Sequence, residues 1–315
     1  RRLREIMVKT AAAAMGLTMI AGDFYFQRLV IDGIDNRAVL AVNKPEMAAE
    51  EICLFHPVRP EGNVCLQILQ DRVATGIANR RPLPVVRFAD GEYAFYALSL
   101  DCNGLYRQAE SVAAIRAALP FHVEALTRLS RTGLLAPLVF PGNIEAPRRG
   151  LSALLRGLRK RPSATTFLTF LQRHDIPLTG DNYLPFYVVY AWLSSPACAR
   201  LLNRKKVCLI GSDWNRSACE DWFARRESQP ELSFVEIPTE YVATRWPAMK
   251  ESILGAIPAD AEICLAGAGI GALPLCVDVA AALSIPVLDA GHVFNMMNDR
   301  VDKSNGARLY TTYGR

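Results

Sequence analysis

From residue 82 onward, short runs of Val, Ile, Leu and Cys alternate with stretches of helical spacing. The apolar runs fall at 84–88, 134–140, 206–210, 232–237, 262–266 and 286–289. They are short and rich in Val, Ile, Leu and Cys, the pattern expected of strands covered on both faces. Between them, apolar positions recur at helical spacing over 109–118, 122–130, 164–172, 183–193, 218–226, 246–256 and 273–283. Strand and helix in alternation predict an α/β fold: a Rossmann-like, mostly parallel sheet with helices on both faces.

Residues 1–80 read differently, as an N-terminal α+β extension. Helical spacing over 3–19 is followed by extended runs at 28–31 and 37–42, joined by the turn Asp32-Gly-Ile-Asp-Asn36. A short strand at 51–55 and a helix at 64–78 complete it. The most apolar piece, 10–22, is shorter than the ~20 residues a spanning helix needs. Basic residues precede it, as in a signal-peptide remnant, but a buried helix is the preferred reading. The chain opens on Arg1, as a trimmed or processed product does. From Val301 the sequence turns polar, so the expected division is 1–80, 81–300 and a tail, 301–315.

Composition narrows the class. With 51% hydrophobic and 21% charged residues, the chain can build a sizeable core and is not a disordered polymer. A net charge of +5 suits an anionic ligand but is too weak to argue for nucleic acid. The eight cysteines form neither a C-x-x-C pair nor a zinc-finger spacing. Cys208 and Cys264 lie inside strand-like runs, as reduced, buried thiols of a cytoplasmic protein do. Arg148, Arg149, Arg156, Arg159, Lys160 and Arg161 interleave with leucines, a basic amphipathic pattern. A solvated basic face is its default reading. Contact with anionic lipid is the alternative, and it would favour a lipid-linked acceptor and association with a membrane.

The chemistry starts where the first apolar run ends, in Pro84-Val-Val-Arg-Phe-Ala-Asp-Gly-Glu92. Ligands of open α/β sheets bind outside the carboxyl ends of strands. Asp90 and Glu92, separated by one small residue, are hard oxygen donors suited to Mn²⁺ or Mg²⁺ shared with substrate phosphates. Gly91 permits a sharp bend and close backbone approach. The plainer reading of D-G-E alone is a solvated turn with Asp90 capping the next helix. Arg87, charged within a central strand, needs a carboxylate or a phosphate as partner.

A second motif, Glu262-Ile-Cys-Leu-Ala-Gly-Ala-Gly-Ile-Gly-Ala272, reads as strand, glycine turn, helix. Gly267, Gly269 and Gly271 can bring backbone N–H groups to a phosphate. Gly267, Gly269 and Ala272 also fit the dinucleotide fingerprint G-x-G-x-x-A, with Asp289 ending the next strand. Only one strand follows the motif, however, whereas a Rossmann domain continues for several units. Glycines needed only for tight packing remain a third reading. His292, just past Asp289, sits on the expected ligand edge and can bind phosphate, orient an acceptor or move a proton. Ser212, Asn215 and Arg216, after the strand at 206–210, can hold nucleotide or sugar hydroxyls, or Asn215 and Ser217 can simply cap a helix. Asp181 and Tyr183 can line an acceptor side.

Taken in order, these motifs resemble a known family. Arg87-Phe-Ala-Asp-Gly-Glu92 is similar to the R-F-G-D-G-E signature of the bacterial GT-D fold glycosyltransferases. Ile237-Pro-Thr-Glu-Tyr241 resembles that family's proline-led strand end. Cys264–Ala272 resembles its strand and glycine turn, and Leu288-Asp-Ala-Gly-His292 its D-x-G-H. The resemblance spans about residues 82–295 and implies a UDP-sugar donor with a divalent metal at Asp90 and Glu92, and a site role for His292. It departs after the histidine: the family's acidic residues are replaced by Val293-Phe-Asn-Met-Met297, so the catalytic base is not identified.

The function expected is therefore transfer of a sugar from a nucleoside diphosphate sugar to a hydroxyl acceptor, assisted by Mn²⁺ or Mg²⁺. Asp90, Glu92 and His292 are the candidate catalytic residues. Arg87, Gly91, Gly267, Gly269, Gly271, Ser212 and Asp289 are the candidate donor-binding residues. The rivals are an NAD- or S-adenosylmethionine-dependent enzyme using the 267–272 turn with Asp289 on a ribose, and a non-catalytic nucleotide-binding module.

Overall fold

A computed structural model describes residues 64–100, 108–138, 163–178, 181–184, 186–291 and 293–299. The elements expected within 1–63, the basic stretch 148–161, His292 and the tail from 301 lie outside these residues. Six strands form one all-parallel sheet: β1 (Leu83–Phe88), β2 (Leu134–Pro137), β3 (Lys206–Gly211), β4 (Glu231–Glu236), β5 (Ile263–Ala266) and β6 (Pro286–Asp289), in the spatial order β2-β1-β6-β5-β3-β4. The fold is α/β and Rossmann-like, as the alternation predicts. The inner strands β1, β6, β5 and β3 and the edge strand β2 are almost entirely buried. Every residue of β1, β5 and β6 is buried, whereas edge strand β4 has a single buried residue.

The helices are α1 (Val64–Ala78), α2 (Asp90–Tyr96), α3 (Val112–Thr132), α4 (Ala164–Arg173), α5 (Phe186–Leu193), α6 (Pro196–Leu202), α7 (Arg216–Ala224), α8 (Val242–Ala256), α9 (Ala272–Leu283) and α10 (Val293–Met297). Helices α3, α8 and α9 pack on one another and on one face of the sheet, while α1 and α5 pack together on the opposite face. The crossovers β1→β2, β4→β5 and β5→β6 all step towards the β2 edge and carry their helices on the same face. The return step from β2 to β3 brings α5 to the other face. One hand of crossover requires this division. Helix α1, in the stretch set apart from the alternating region on sequence, rests on β1, β6 and α5. Asp278 of α9 ties the first face together, accepting from Arg128 Nη1 of α3 at 2.6 Å and from Trp246 Nε1 of α8 at 2.8 Å, with Lys250 Nζ at 3.1 Å.

Several boundaries differ from the expected ones, each for a local reason. The stretches 109–118 and 122–130 are one helix, α3, which runs through Pro120. Pro120 lies on the solvent side, and the stripe Ile115, Ala118, His122, Ala125, Leu126 and Leu129 stays buried on either side of it. Packing outweighs the missing N–H. Helix α7 starts two residues early because Asn215 is its N-cap, accepting from Ala218 N at 3.2 Å. Helix α8 begins four residues before the expected 246, so Pro247 falls inside its first turns. Helix α5 starts at Phe186, because Tyr183 pairs in an isolated bridge with Leu135 of β2. Helices α2, α6 and α10 were not expected. Of these α6 carries a legible signal, with Ser195 accepting from Cys198 N ahead of Pro196 at the first helical position.

Candidate functional site at the carboxyl ends of β1 and β6

Strand β1 ends at Phe88, Ala89 is extended (φ −135°, ψ −159°), and α2 begins at once with Asp90. The D-G-E segment is thus the first turn of a helix, not an open bend. Side chains two apart on a helix do not face each other. Asp90 is exposed at the surface, whereas Glu92 is half-buried and turns back so that Ala89 N–H donates to its Oε2 at 2.7 Å. Ala89, not Asp90, is the N-cap. Gly91 takes an ordinary helical conformation, and a Cβ built on it meets no atom within 4 Å. The space over Gly91 itself is open.

Beneath Glu92 lies a buried ion pair between neighbouring strands. Arg87 Nη2 of β1 donates to Asp289 Oδ1 of β6 at 2.8 Å, Arg87 Nε to the Asp289 carbonyl at 3.1 Å, and the Arg87 backbone N–H to Asp289 Oδ2 at 3.3 Å. The two side chains are only 7% and 6% exposed. The carboxylate expected to partner Arg87 is therefore Asp289. The guanidinium also lies 4.2 Å from the ring centre of Tyr190 and 5.1 Å from that of Phe186, both on α5. Burial works against its charge, but Asp289 together with Tyr190 and Glu92 more than offsets it, so Arg87 stays protonated. Gly291 has φ +42°, and a Cβ there would lie 1.7 Å from Arg87 Nη2. Only glycine lets the chain after β6 pass over the guanidinium.

These groups set the chemistry of Glu92. Burial pushes its carboxyl up to about 7, Asp289 adds to the rise, and the Ala89 N–H and Arg87 offset part of it. A carboxyl near neutrality at a strand end can take up or release a proton under ordinary conditions. As cation ligands, Asp90 and Glu92 offer hard oxygens, one open to solvent and one without a strong internal counter-charge of its own, since Arg87 is committed to Asp289. Each carboxylate alone has the hard oxygens that Mg²⁺ or Mn²⁺ takes, but the helix points the two in different directions and Glu92 Oε2 already accepts from Ala89, so joint coordination would need a side-chain rotation. No cluster of three or more His, Cys, Asp or Glu suited to a metal occurs among the described residues, so the chain would supply part of the coordination sphere and the ligand the rest.

The glycine turn lies on the same edge but two strands from β1, at ~4.8 Å per strand roughly 10 Å away. Its glycines meet the chain's own side chains. A Cβ on Gly267 would lie 2.3 Å from Phe294 of α10, one on Gly271 2.5 Å from Val242 of α8, and one on Gly269 (φ +55°) 2.4 Å from Gln108 Oε1. That oxygen accepts from Ile270 N–H at 3.0 Å, the position where a helix start would otherwise offer its amide to a phosphate. Next to it, the diverging crossovers from β5 and β3 leave the crevice in which doubly wound sheets take nucleotides. Trp214 and Phe294 fill it, edge to face at 4.9 Å, with Trp214 against Gly211.

The structure therefore brings Arg87, Glu92, Asp289 and Gly291 together, with Asp90 and Gly91 beside them. It sets Gly267, Gly269, Gly271 and Ser212 further along the same edge. Tyr183 is buried in a parallel bridge with Leu135 of β2, which places the exposed Asp181 beyond the amino end of that strand, away from the mouth and not on an acceptor side. His292 follows Gly291 directly and lies outside the described residues. Sequence reasoning missed Phe186 and Tyr190, whose i, i+4 spacing in an apolar helix reads as core, and Gln108, which carries no signal at all. No helix among the described residues is long and apolar enough to cross a membrane. No protein family, curated protein or solved structure matches this chain.

Proposed function

We propose that this chain is a GT-D-like glycosyltransferase that moves a sugar from a nucleoside diphosphate sugar, UDP-linked, to a hydroxyl acceptor. The observation that carries the reading is the pair Asp90 and Glu92 at the carboxyl end of a central parallel strand, beside open space over Gly91. A divalent cation bound there would neutralise charge on the diphosphate as it leaves. After the Glu92 side chain rotates, Asp90 and Glu92 hold that cation, and the Arg87–Asp289 pair fixes the floor on which Glu92 stands. In the transfer, the acceptor oxygen bonds to the anomeric carbon, the bond from that carbon to the diphosphate oxygen breaks, and the acceptor proton passes to a base. That base is not assigned to a residue; His292 is a candidate to bind phosphate, orient the acceptor or move a proton.

The rival NAD or S-adenosylmethionine reading needs the 267–272 turn to be open and Asp289 to be available for a ribose. Gln108, Phe294 and Val242 crowd that turn, and Asp289 is buried against Arg87, which favours the carboxylate mouth. Thermal unfolding separates the readings. UDP-sugars are expected to raise the Tm only with Mn²⁺ or Mg²⁺, followed by slow donor hydrolysis, while NAD and S-adenosylmethionine leave it unchanged. Metal-independent stabilisation by NAD or S-adenosylmethionine would overturn the proposal. Stabilisation by UDP-sugar without any turnover would point to the non-catalytic module.

A further inference from the structure

Ser233 of β4, Cys208 of β3 and Cys264 of β5 stand in one row across the sheet. Cys208 is in direct register with Ser233 on one side and with Cys264 on the other. The strands are parallel, so side chains in register lie side by side on the same face. Both thiols are free and fully buried. Ser233 is half-buried and lies on the edge strand, which pairs with β3 alone and has a single buried residue. The row therefore runs from the least covered strand of the sheet into its core. Hydrogen bonds from the Cys264 thiol and from the Ser233 hydroxyl hold the Cys208 thiol below its ordinary value against the effect of burial. The Cys264 thiol, bonded to Cys208 and buried, is pushed up.

Neighbouring strands lie roughly 4.8 Å apart, within the Cα separation of about 4.4–6.8 Å that a disulfide spans. We propose that Cys208 and Cys264 form an oxidisable dithiol, a modification site that a peroxide converts to a cross-strand disulfide. The Cys208 thiolate attacks one oxygen of hydrogen peroxide and the O–O bond breaks. Hydroxide leaves and takes up the proton that Cys208 released, giving water. The Cys208 sulfur, now a sulfenic acid, is attacked by the Cys264 sulfur. The S–S bond forms, the S–O bond breaks, and the departing hydroxide takes the Cys264 proton as a second water. Two thiols lose two electrons and one peroxide gains them. A disulfide prefers Cβ atoms about 3.8 Å apart, closer than parallel neighbours stand, so the bridge draws β3 and β5 together and is strained. Strained bridges are the readily reduced, regulatory kind. The strain falls three residues before Gly211 and Gly267, the strand ends that seat Trp214 and Phe294. Peroxide, hardly larger than water, enters when β4 lifts from β3, an edge opening that costs less than global unfolding.

The test is peroxide treatment of the full native chain, removal of the oxidant with catalase, unfolding in an alkylating agent, and peptide mapping by mass spectrometry without reductant. The proposal expects the peptides carrying Cys208 and Cys264 to be joined, two hydrogens lighter than their sum, with Cys276 alkylated. Dithiothreitol added to the native chain restores both thiols. Cys276 is equally buried but stands on α9, outside the row, so it reports global opening. Full alkylation of Cys208 and Cys264 after treatment overturns the proposal. So does a bridge from either to another cysteine, or one that forms only where Cys276 is modified as well. In Cys208→Ser, Cys264 is expected to be alkylated as fully as in the untreated chain, and its oxidation at the wild-type rate would remove Cys208 as the attacking sulfur. The wild-type map decides the proposal even where that variant does not fold.

Discussion

Two glycines with the same sequence look have opposite physics. Gly291 is pinned by its left-handed φ and by the guanidinium that a Cβ would strike. Gly291→Ala must displace a buried ion pair, and losing such a pair costs about 3–5 kcal/mol. Gly91 is helical and has nothing near it, so Gly91→Ala should stabilise the free chain by up to about 1 kcal/mol. If ligand uses that open space, the same variant weakens UDP-sugar binding. Urea midpoints and donor-induced Tm shifts of both variants check the contrast. Glu92 is a second residue held at a cost. Its carboxyl rises from 4.5 in the unfolded chain to about 7 in the fold, so the folded state binds the extra proton. The associated stability is present below about 4.5 and is lost as pH rises through about 7. Glu92→Gln is therefore expected to stabilise the ligand-free chain at pH 8 by on the order of 1–3 kcal/mol while removing its response to Mn²⁺ and donor. Unchanged stability at pH 8 would contradict the burial argument.

At the level of elements, α3 shows how far a proline can be overruled. Its six-residue buried stripe continues across Pro120, which itself faces solvent. Pro120→Ala restores one backbone hydrogen bond without touching the core, and is expected to raise stability by about 1–3 kcal/mol, read as a higher urea midpoint. The sequence pattern located all six strands and most helices because short apolar runs and helical stripes are local signals. It divided α3 at its proline and passed over α2, because Asp90-Gly-Glu92 looks like a turn when its backward hydrogen bond to Ala89 is invisible. The glycine turn is the subtler case. Gly267, Gly269 and Gly271 were legible as a close approach, but what approaches them is Phe294, Gln108 and Val242, side chains distant along the sequence that no local pattern reveals.

Across the whole molecule, legibility stops where partners are far apart. Arg87 announced that it needed an anion, but Asp289 lies 202 positions away, and only the placing of β6 beside β1 makes them meet. Tyr190 and Phe186 reach Arg87 from the opposite layer. His122 is a comparable long-range link on the other face. Its Nε2 faces the Ala243 carbonyl at 2.8 Å, which can only accept, so that nitrogen carries the proton and Nδ1 accepts from Tyr96 OH at 3.1 Å. Burial lowers its pKa from 6.5 to about 4, so the unfolded chain binds the proton first. The stability this link contributes is full above about 6.5 and is lost as pH falls towards 4, by about 3 kcal/mol. Glu92 acts in the opposite sense over part of that window, so the acid-side loss should be steeper in Glu92→Gln than in wild type. Unfolding free energies measured from pH 7.5 to pH 4 in the two proteins report this, and parallel profiles would contradict it.

The most direct test of the central claim is Mn²⁺ binding followed by electron paramagnetic resonance in the presence of UDP. The account predicts a bound-manganese signal in the wild type that requires UDP and is lost in both Asp90→Asn and Glu92→Gln, with the fold intact by circular dichroism. A wild-type signal that persists in both variants, or no bound manganese with UDP at all, would contradict it.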